Sequence, residues 1–566
     1  MQTAKPSAFL RFAALFLAIF LVFPVAAPFA RRDASKTVDN AVPALLSGSP
    51  GDGLLTESDE YQYVLSAYLN GQTEISAKTG QFTLTKAEMS RIFTVMFYSE
   101  AELFISGNGY REVEINGEFT AIRPVYAIDA TEIPSKLAEF RALTAAIISE
   151  ADPEWSEWEK IAFVHDYLAL HYDYDQRVYS KDEEEKAQAV YDAYGMLKEG
   201  VGVCQAYSLL ARYLLKQLGV ECECVSCGEL NHEWNIVRIG GSWYHVDVTW
   251  DDRDDKGLYG QVSHEYFLSS DTHFNAGKHN CAGWDAPVRA TNGKFDGFFE
   301  DVTTPFILTD GAIYAINDGR LVSYDPKTEQ FTLLRDLSSL KWSTQGGVWE
   351  GFYAGLCYLE NGNLYWNTSN EIWSYDPRTG TATRVDTYND SSLMHRKIIF
   401  GMRAETEGNA IVFTLAMMRN PNDGNPEEIQ RSPSSYVITW QICDQTYETV
   451  CLRNEVPACD EALLVIPSNV FDYAFLGWDR TPVAATKDAT YTAKFRMDRN
   501  ETVLTSVSLR EQYRLLRAAR RLLPYAGAGY DEAAERVTEL NDLLAVYAAE
   551  VDAVNAAFSA VLFGGE

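Results

Sequence analysis

The stretch GVGVCQAYSLL, residues 200–210, places a single cysteine after two glycines, where an apolar helical pattern begins. From Cys204 onward Tyr207, Leu210 with Ala211, Leu214 and Leu218 recur at helical spacing, and LGV at 218–220 ends the run. Cys204 therefore falls in the first turn of a helix, with Gly202 leaving room for a backbone or a substrate to approach. The positive end of a helix favours thiolate over thiol, and the thiolate is the nucleophilic form. On these residues alone Cys204 is open to four roles: core residue, half of a disulfide, metal ligand or nucleophile.

The next informative stretch is NHEWNIVRIGGSWYHVDVTWDD, 231–252, in which two alternating aromatic and β-branched runs flank Gly240-Gly241. That is a two-residue hairpin signal. With the glycines as the turn, Ile239 pairs with Ser242, Trp234 with Asp247 and His232 with Thr249. His232 and Asp247 then share one face, diagonally adjacent, and a one-residue slip would separate them. A carboxylate so placed fixes the imidazole tautomer and stabilises the imidazolium, leaving the other ring nitrogen for the Cys204 thiolate. His245 lies on the same face and could serve instead of His232. Asp251 and Asp252 read as a solvated turn at a strand end rather than a calcium site.

Residues of about 155–270 resemble the transglutaminase-like domain of bacterial exported proteins, a papain-like cysteine fold. The marks are AYGMLKEGVGVCQAYSLL (193–210), HEWNIVRIGGSWYHVDVTWDD (232–252), SHEYFLSSD (263–271) and the earlier helix WEKIAFVHDYLALHYDYD (158–175). The resemblance implies Cys204 as nucleophile, His232 as general base and acid, and Asp247 as the orienting carboxylate. It implies acyl transfer from a peptide or glutamine amide, to water or to an amine, with no metal or other cofactor. The backbone N–H of Cys204 is a natural oxyanion donor. Two departures stand out. Many relatives carry glycine two residues after the cysteine and alanine after the histidine, where this chain has Ala206 and Glu233. Ala206 is expected to narrow the approach to the thiol, and Glu233 to point away on the opposite strand face.

Around this block, 566 residues with 46% hydrophobic content call for about three to five domains. The expected class is multidomain α+β. Residues 1–30 read as an export signal, with Lys5 and Arg11 ahead of the apolar run Phe12–Phe23, and 31–57 as a linker. Residues 58–150 form a small α/β domain whose clearest mark is TKAEMSRIFTVMF (85–97), with Thr85 and Glu88 as a capping box. The papain-like domain occupies 151–290.

Beyond it, DGAIYAINDGRLVSYDPKT (310–328) aligns without gaps on NGNLYWNTSNEIWSYDPRT (361–379), and EGNAIVFTLAMM (407–418) hints at a third copy. A period near fifty residues is that of a propeller blade, so 300–435 read as an incomplete propeller-like β module. Residues 436–497, ending FLGWDRTPVAATKDATYTAKF, resemble the β-grasp repeats of internalin B type found in bacterial surface proteins. The tail, 498–566, pairs an arginine-rich amphipathic helix with an acidic one, a charge-complementary helical hairpin.

The net charge of −32 excludes a nucleic-acid binder, because phosphates would be repelled. It suits a secreted or cell-surface protein acting on a protein or peptide substrate near a wall or surface polymer, with membrane contact only through the leader. The nine cysteines are not spaced as a disulfide framework, and Cys222, Cys224 and Cys227 read as small apolar residues of a buried strand. A rival reading is a surface adhesion or scaffolding protein whose papain-like domain binds without catalysing.

Overall fold

The computed structural model describes residues 55–499 apart from 253–259, 278, 282, 310, 338–341, 345–346, 350–353, 389–396, 419–425, 444 and 468–470. The leader at 1–30, nearly all of the 31–57 linker and nearly all of the 498–566 hairpin lie outside the described residues. The chain forms two compact units that divide near residue 354. Among the described residues, no helix is long and apolar enough to cross a membrane.

The first unit begins with α1 (Asp59–Leu69) and α2 (Lys86–Phe97). α2 starts where the capping box requires: the Thr85 side chain accepts from Glu88 N–H, and the Glu88 carboxylate accepts from Thr85 N–H. A hairpin of β1 (Ser106–Ile115) and β2 (Glu118–Tyr126) follows, then α3 (Ile133–Ile148), whose Phe140 and Ile147 pack into the main core of this unit. Arg212 of the central helix is nearly fully buried. Its Nε donates to Glu223 Oε2 at 3.0 Å and its Nη1 to the Ser99 carbonyl at 2.7 Å, with Glu100 Oε1 3.3 Å away. One guanidinium thus holds the loop after α2 to the core.

That core is built on α4 (Glu157–His171), α5 (Cys204–Gln217) and a four-stranded antiparallel sheet. Its strands run β3 (Cys222–Cys227), β4 (His232–Ile239), β5 (Ser242–Val246), β6 (Phe267–Ser269), in that order. Gly240 and Gly241 have φ of 55° and 86°, which an L side chain rarely adopts, and Ile239 pairs with Ser242. The register is therefore the one expected from the sequence. The ladder ends earlier, at Asn235 opposite Val246. Asp247 leaves it to cap the short helix α6 (Val248–Asp251), accepting from Trp250 N–H at 3.1 Å. The other face of the sheet buries Trp234, Ile236, Tyr266 and Trp284, together with Phe274 of α7 (Asp271–Ala276).

Two sequence expectations are corrected here. Cys227 is not merely a small strand residue: it is disulfide-bonded to Cys281, while Cys222 and Cys224 are free and buried as expected. Asp251 is no solvated turn, being completely buried and accepting from Tyr266 N–H.

The duplicated segments fold alike, one in each unit. The copy at 310–328 lies in an antiparallel sheet of four strands from Ile307 to Asp336, and the copy at 361–379 in one from Leu356 to Thr387. Each sheet has a register shift at the same place in the repeat, Leu321/Val322 and Ile372/Trp373. Further along, Ser435–Ile442 and Gln445–Leu452 form a hairpin whose first strand pairs in parallel with Ala489–Arg499. Phe471–Trp478 completes that sheet at its edge.

Candidate active site

Cys204 is the first residue of α5 and is half-buried. The helix starts there because Val203 is extended, with no side-chain cap on the free N–H groups that follow. At Gly202, where a backbone or a substrate was expected to approach, the close neighbours are side chains of the protein itself. A Cβ at that position would stand 2.8 Å from Ala206 Cβ and 3.0 Å from Met196 Sδ. Ala206 is accordingly buried against Gly202 instead of narrowing the approach to the thiol. Replacing Gly202 by Ala should push the start of α5 outward, at a cost of about 1–3 kcal/mol. Thermal unfolding and the rate of Cys204 alkylation should both register it.

His232 opens β4 and lies near both partners expected of it. Its Nε2 lies 2.6 Å from Asp247 Oδ2, and Cys204 is near enough to act on the charge of its ring. The rings of Trp250 and Trp234 lie nearly parallel to it, with centroids 5.1 and 5.5 Å away. Burial alone would push the imidazole pKa down. The charge and hydrogen bond of Asp247, with a further contribution from Cys204, outweigh it and hold His232 at about 10. Asp247 is fully buried, yet His232 and a second histidine keep its carboxyl well below the usual range. Tyr174 and Tyr191 are close enough to Cys204 to feel its charge, which adds to burial in raising their pKa values and keeps both as O–H donors.

His245, the alternative base, is committed elsewhere: its Nδ1 accepts from Trp234 Nε1 at 3.0 Å and its Nε2 lies 2.9 Å from Asp271 Oδ1. Glu233 does point away from His232, but into the protein. Ser208, one turn beyond Cys204, donates to it at 2.5 Å, and burial pushes its pKa up to about 8.

Sequence reasoning missed two features. His279 Nε2 lies 2.6 Å from Asp247 Oδ2, the same oxygen that His232 uses. The segment HNC at 279–281 offered a histidine beside a cysteine, but only the fold brings it to the site. Beneath the site, His165 sits between two carboxylates, with Nδ1 2.8 Å from Asp166 Oδ1 and Nε2 3.2 Å from Asp251 Oδ2. His264 Nε2 reaches Asp166 Oδ1 at 3.0 Å, and Phe306 N–H donates to Asp166 Oδ2 at 2.6 Å. The donor atoms of His232, Asp247 and His279, and those of His165, Asp166 and His264, are each grouped closely enough to hold a metal ion. Hydrogen bonds within each group already account for that proximity.

Residues 141–248 match the model of the transglutaminase-like superfamily. Among solved structures, a TGase is 14% identical over 34% of this chain and 58% of its own length, with a TM-score of 0.18. A candidate cysteine protease from Cytophaga hutchinsonii is 15% identical over 25% of this chain and 61% of its own, with a TM-score of 0.15. This chain thus spans less than two thirds of either. No curated protein matches it.

Proposed function

We propose that the transglutaminase-like domain at residues 141–248 makes this chain an exported cysteine acyltransfer enzyme, acting on peptide or glutamine amides as a protease, deamidase or cross-linker. One observation carries the reading: His232 is bonded through Nε2 to a buried carboxylate and is near enough to a thiol at the start of a helix to respond to its charge.

The steps follow from that arrangement. A thiolate at Cys204, paired with the His232 imidazolium, attacks the carbonyl carbon of the amide. The oxyanion is met by the Cys204 N–H. His232 gives its proton to the leaving amine as the C–N bond breaks, leaving a thioester on Cys204. It then takes a proton from water or from an incoming amine, which attacks the thioester and regenerates the thiolate. Asp247 stays ionised and keeps the ring in the required tautomer.

Export is supported by the Cys227–Cys281 disulfide, which an oxidising compartment would preserve, and by the leader-like N-terminus. The duplicated four-stranded sheets and the mixed sheet at 435–499 favour a second reading, in which propeller-like and β-grasp modules hold the protein to a surface polymer and the papain-like domain only binds.

Iodoacetamide treatment across pH 5–9, with the modified residue mapped by mass spectrometry, separates the two. Fast labelling of Cys204 at pH 5–6 that is lost in His232→Ala is the expected result. Labelling confined to pH values above about 8, as for an ordinary thiol, would leave only the binding reading.

A further inference from the structure

We propose that His279 is a positioning residue of the site, donating its Nε2–H to Asp247 Oδ2 and so holding the carboxylate where His232 needs it. The proposal rests on the Cys204–His232–Asp247 reading above.

Three observations lead to it. Asp247 Oδ1 is held by the Trp250 N–H, and Oδ2 takes the Nε2 of both histidines at 2.6 Å each. Without His279, Oδ2 would be held only by the ring it has to orient. With it, the oxygen has a second anchor that takes no part in proton transfer.

The second observation concerns what His279 forgoes. Its ring is fully buried in an aromatic box, with centroids of Trp250, Phe274 and Tyr266 at 3.9, 3.9 and 4.6 Å. Among the described residues, its Nδ1 has no hydrogen-bond partner. Phenylalanine would fill the box without a stranded polar atom, so packing does not account for a histidine. The Nε2–H donated to Asp247 does.

Third, the loop that carries it is braced. Cys281, two residues on, is bonded to Cys227, and Cys227 lies directly opposite His232 in the β3–β4 ladder. The Cys281 N–H also donates to Asn275 Oδ1 at 3.1 Å, tying the loop to α7. The charged or titratable groups that act on His279 are Asp247, His232 and His245. Burial outweighs the attraction of Asp247 and lowers the His279 pKa to about 4, so it remains a neutral donor while His232 is charged.

The test uses the full chain purified without reductant, as wild type, His279→Phe and His279→Gln. The Phe variant keeps a ring and loses the donor; Gln restores an N–H near the Nε2 position. Iodoacetamide labelling of Cys204 at pH 6 is expected to slow about 10-fold or more in His279→Phe and to recover most of that loss in His279→Gln. Near-UV circular dichroism should be unchanged in both. Equal labelling of wild type and folded His279→Phe overturns the proposal.

Nitrogen-15 NMR of the histidine rings in the wild-type chain covers the other outcomes. If His279→Phe does not fold, an Nε2–H tautomer at His279 supports the proposal and an Nδ1–H tautomer overturns it. If wild type itself labels only as an ordinary thiol, the nucleophile reading fails by itself. The His232 ring resonances then decide for His279: displaced in the Phe variant and restored in the Gln variant, it stands; identical in all three, it falls.

Discussion

Asp247→Asn should reduce the rate of Cys204 alkylation at pH 6, and any amide-cleaving or cross-linking rate, by ~10²–10⁴-fold while leaving the protein folded. The reasoning begins with what the carboxylate accepts: two imidazole nitrogens on Oδ2 and a main-chain N–H on Oδ1. An amide has one oxygen. If that oxygen faces the histidines, the NH₂ group meets the Trp250 N–H, donor against donor; if it turns round, the histidines lose their acceptor. Either way His232 loses the charge that holds it protonated against burial. The structural penalty should stay near 1–3 kcal/mol, that of one unsatisfied buried group. Alkylation of Asp247→Asn that kept the wild-type rate and pH profile would remove Asp247 from the site.

The second large effect is on stability and is expected at the network under the site. Asp166→Ala should destabilise the first unit by about 3–5 kcal/mol, because it removes the partner of one buried ring nitrogen in each of His165 and His264 and of the Phe306 N–H. The same network sets a pH dependence. Burial pushes His165 down, but the bonds to Asp166 and Asp251 more than offset it and raise its pKa to about 9 in the folded protein. A raised folded value means the contribution is complete below the unfolded value of about 6.5 and is lost as pH climbs from there to about 9. His232 adds a loss in the same direction, ending near pH 10.

On the acid side the signs reverse. His245 and His279 have lowered values, that of His279 near 4, so stability falls as pH drops below about 6.5 and the unfolded chain takes up protons first. Glu233, raised by burial to about 8, adds to the alkaline loss, so calorimetry of the wild type should show stability declining from about pH 6.5 to pH 9. The alkaline decline should amount to a few kcal/mol and be shallower in Asp166→Ala. Equal wild-type stability at pH 6 and pH 9 would show that His165 is not held charged.

The parts of the site that could be read from the sequence are those set by local periodicity. Helical spacing places Cys204 in the first turn of α5, and two glycines with positive φ pin the hairpin, so His232 and Asp247 meet as the alternation requires. What could not be read depends on chain segments far apart in sequence. His279 is 32 residues from Asp247, and His264 is 98 from Asp166. No period links such positions. Polar residues in apolar runs, such as His165 and Asp166 in α4, are the only local trace, and they show that a partner exists without showing where. The packing of Gly202 against Ala206 and Met196 could not be read for a related reason. Small residues mark close approach, but the sequence does not say whether ligand or protein makes it.

On the proposed reading, in which Cys204 must stay a free thiol, the disulfide poses a sorting problem. An oxidant must join Cys227 to Cys281 and spare Cys204, with six further cysteines free in the folded chain. Exchange proceeds through thiolates, so a thiol that resists ionisation is a poor participant. Cys222 and Cys224 share a strand with Cys227, and burial raises both well above an ordinary thiol. Burial likewise raises Cys357 and Cys459, each to about 12, and Cys451 higher still. Once folded, the protein has made these five sulfurs chemically quiet, and the bond at Cys227 is screened from exchange with its two nearest neighbours on the strand.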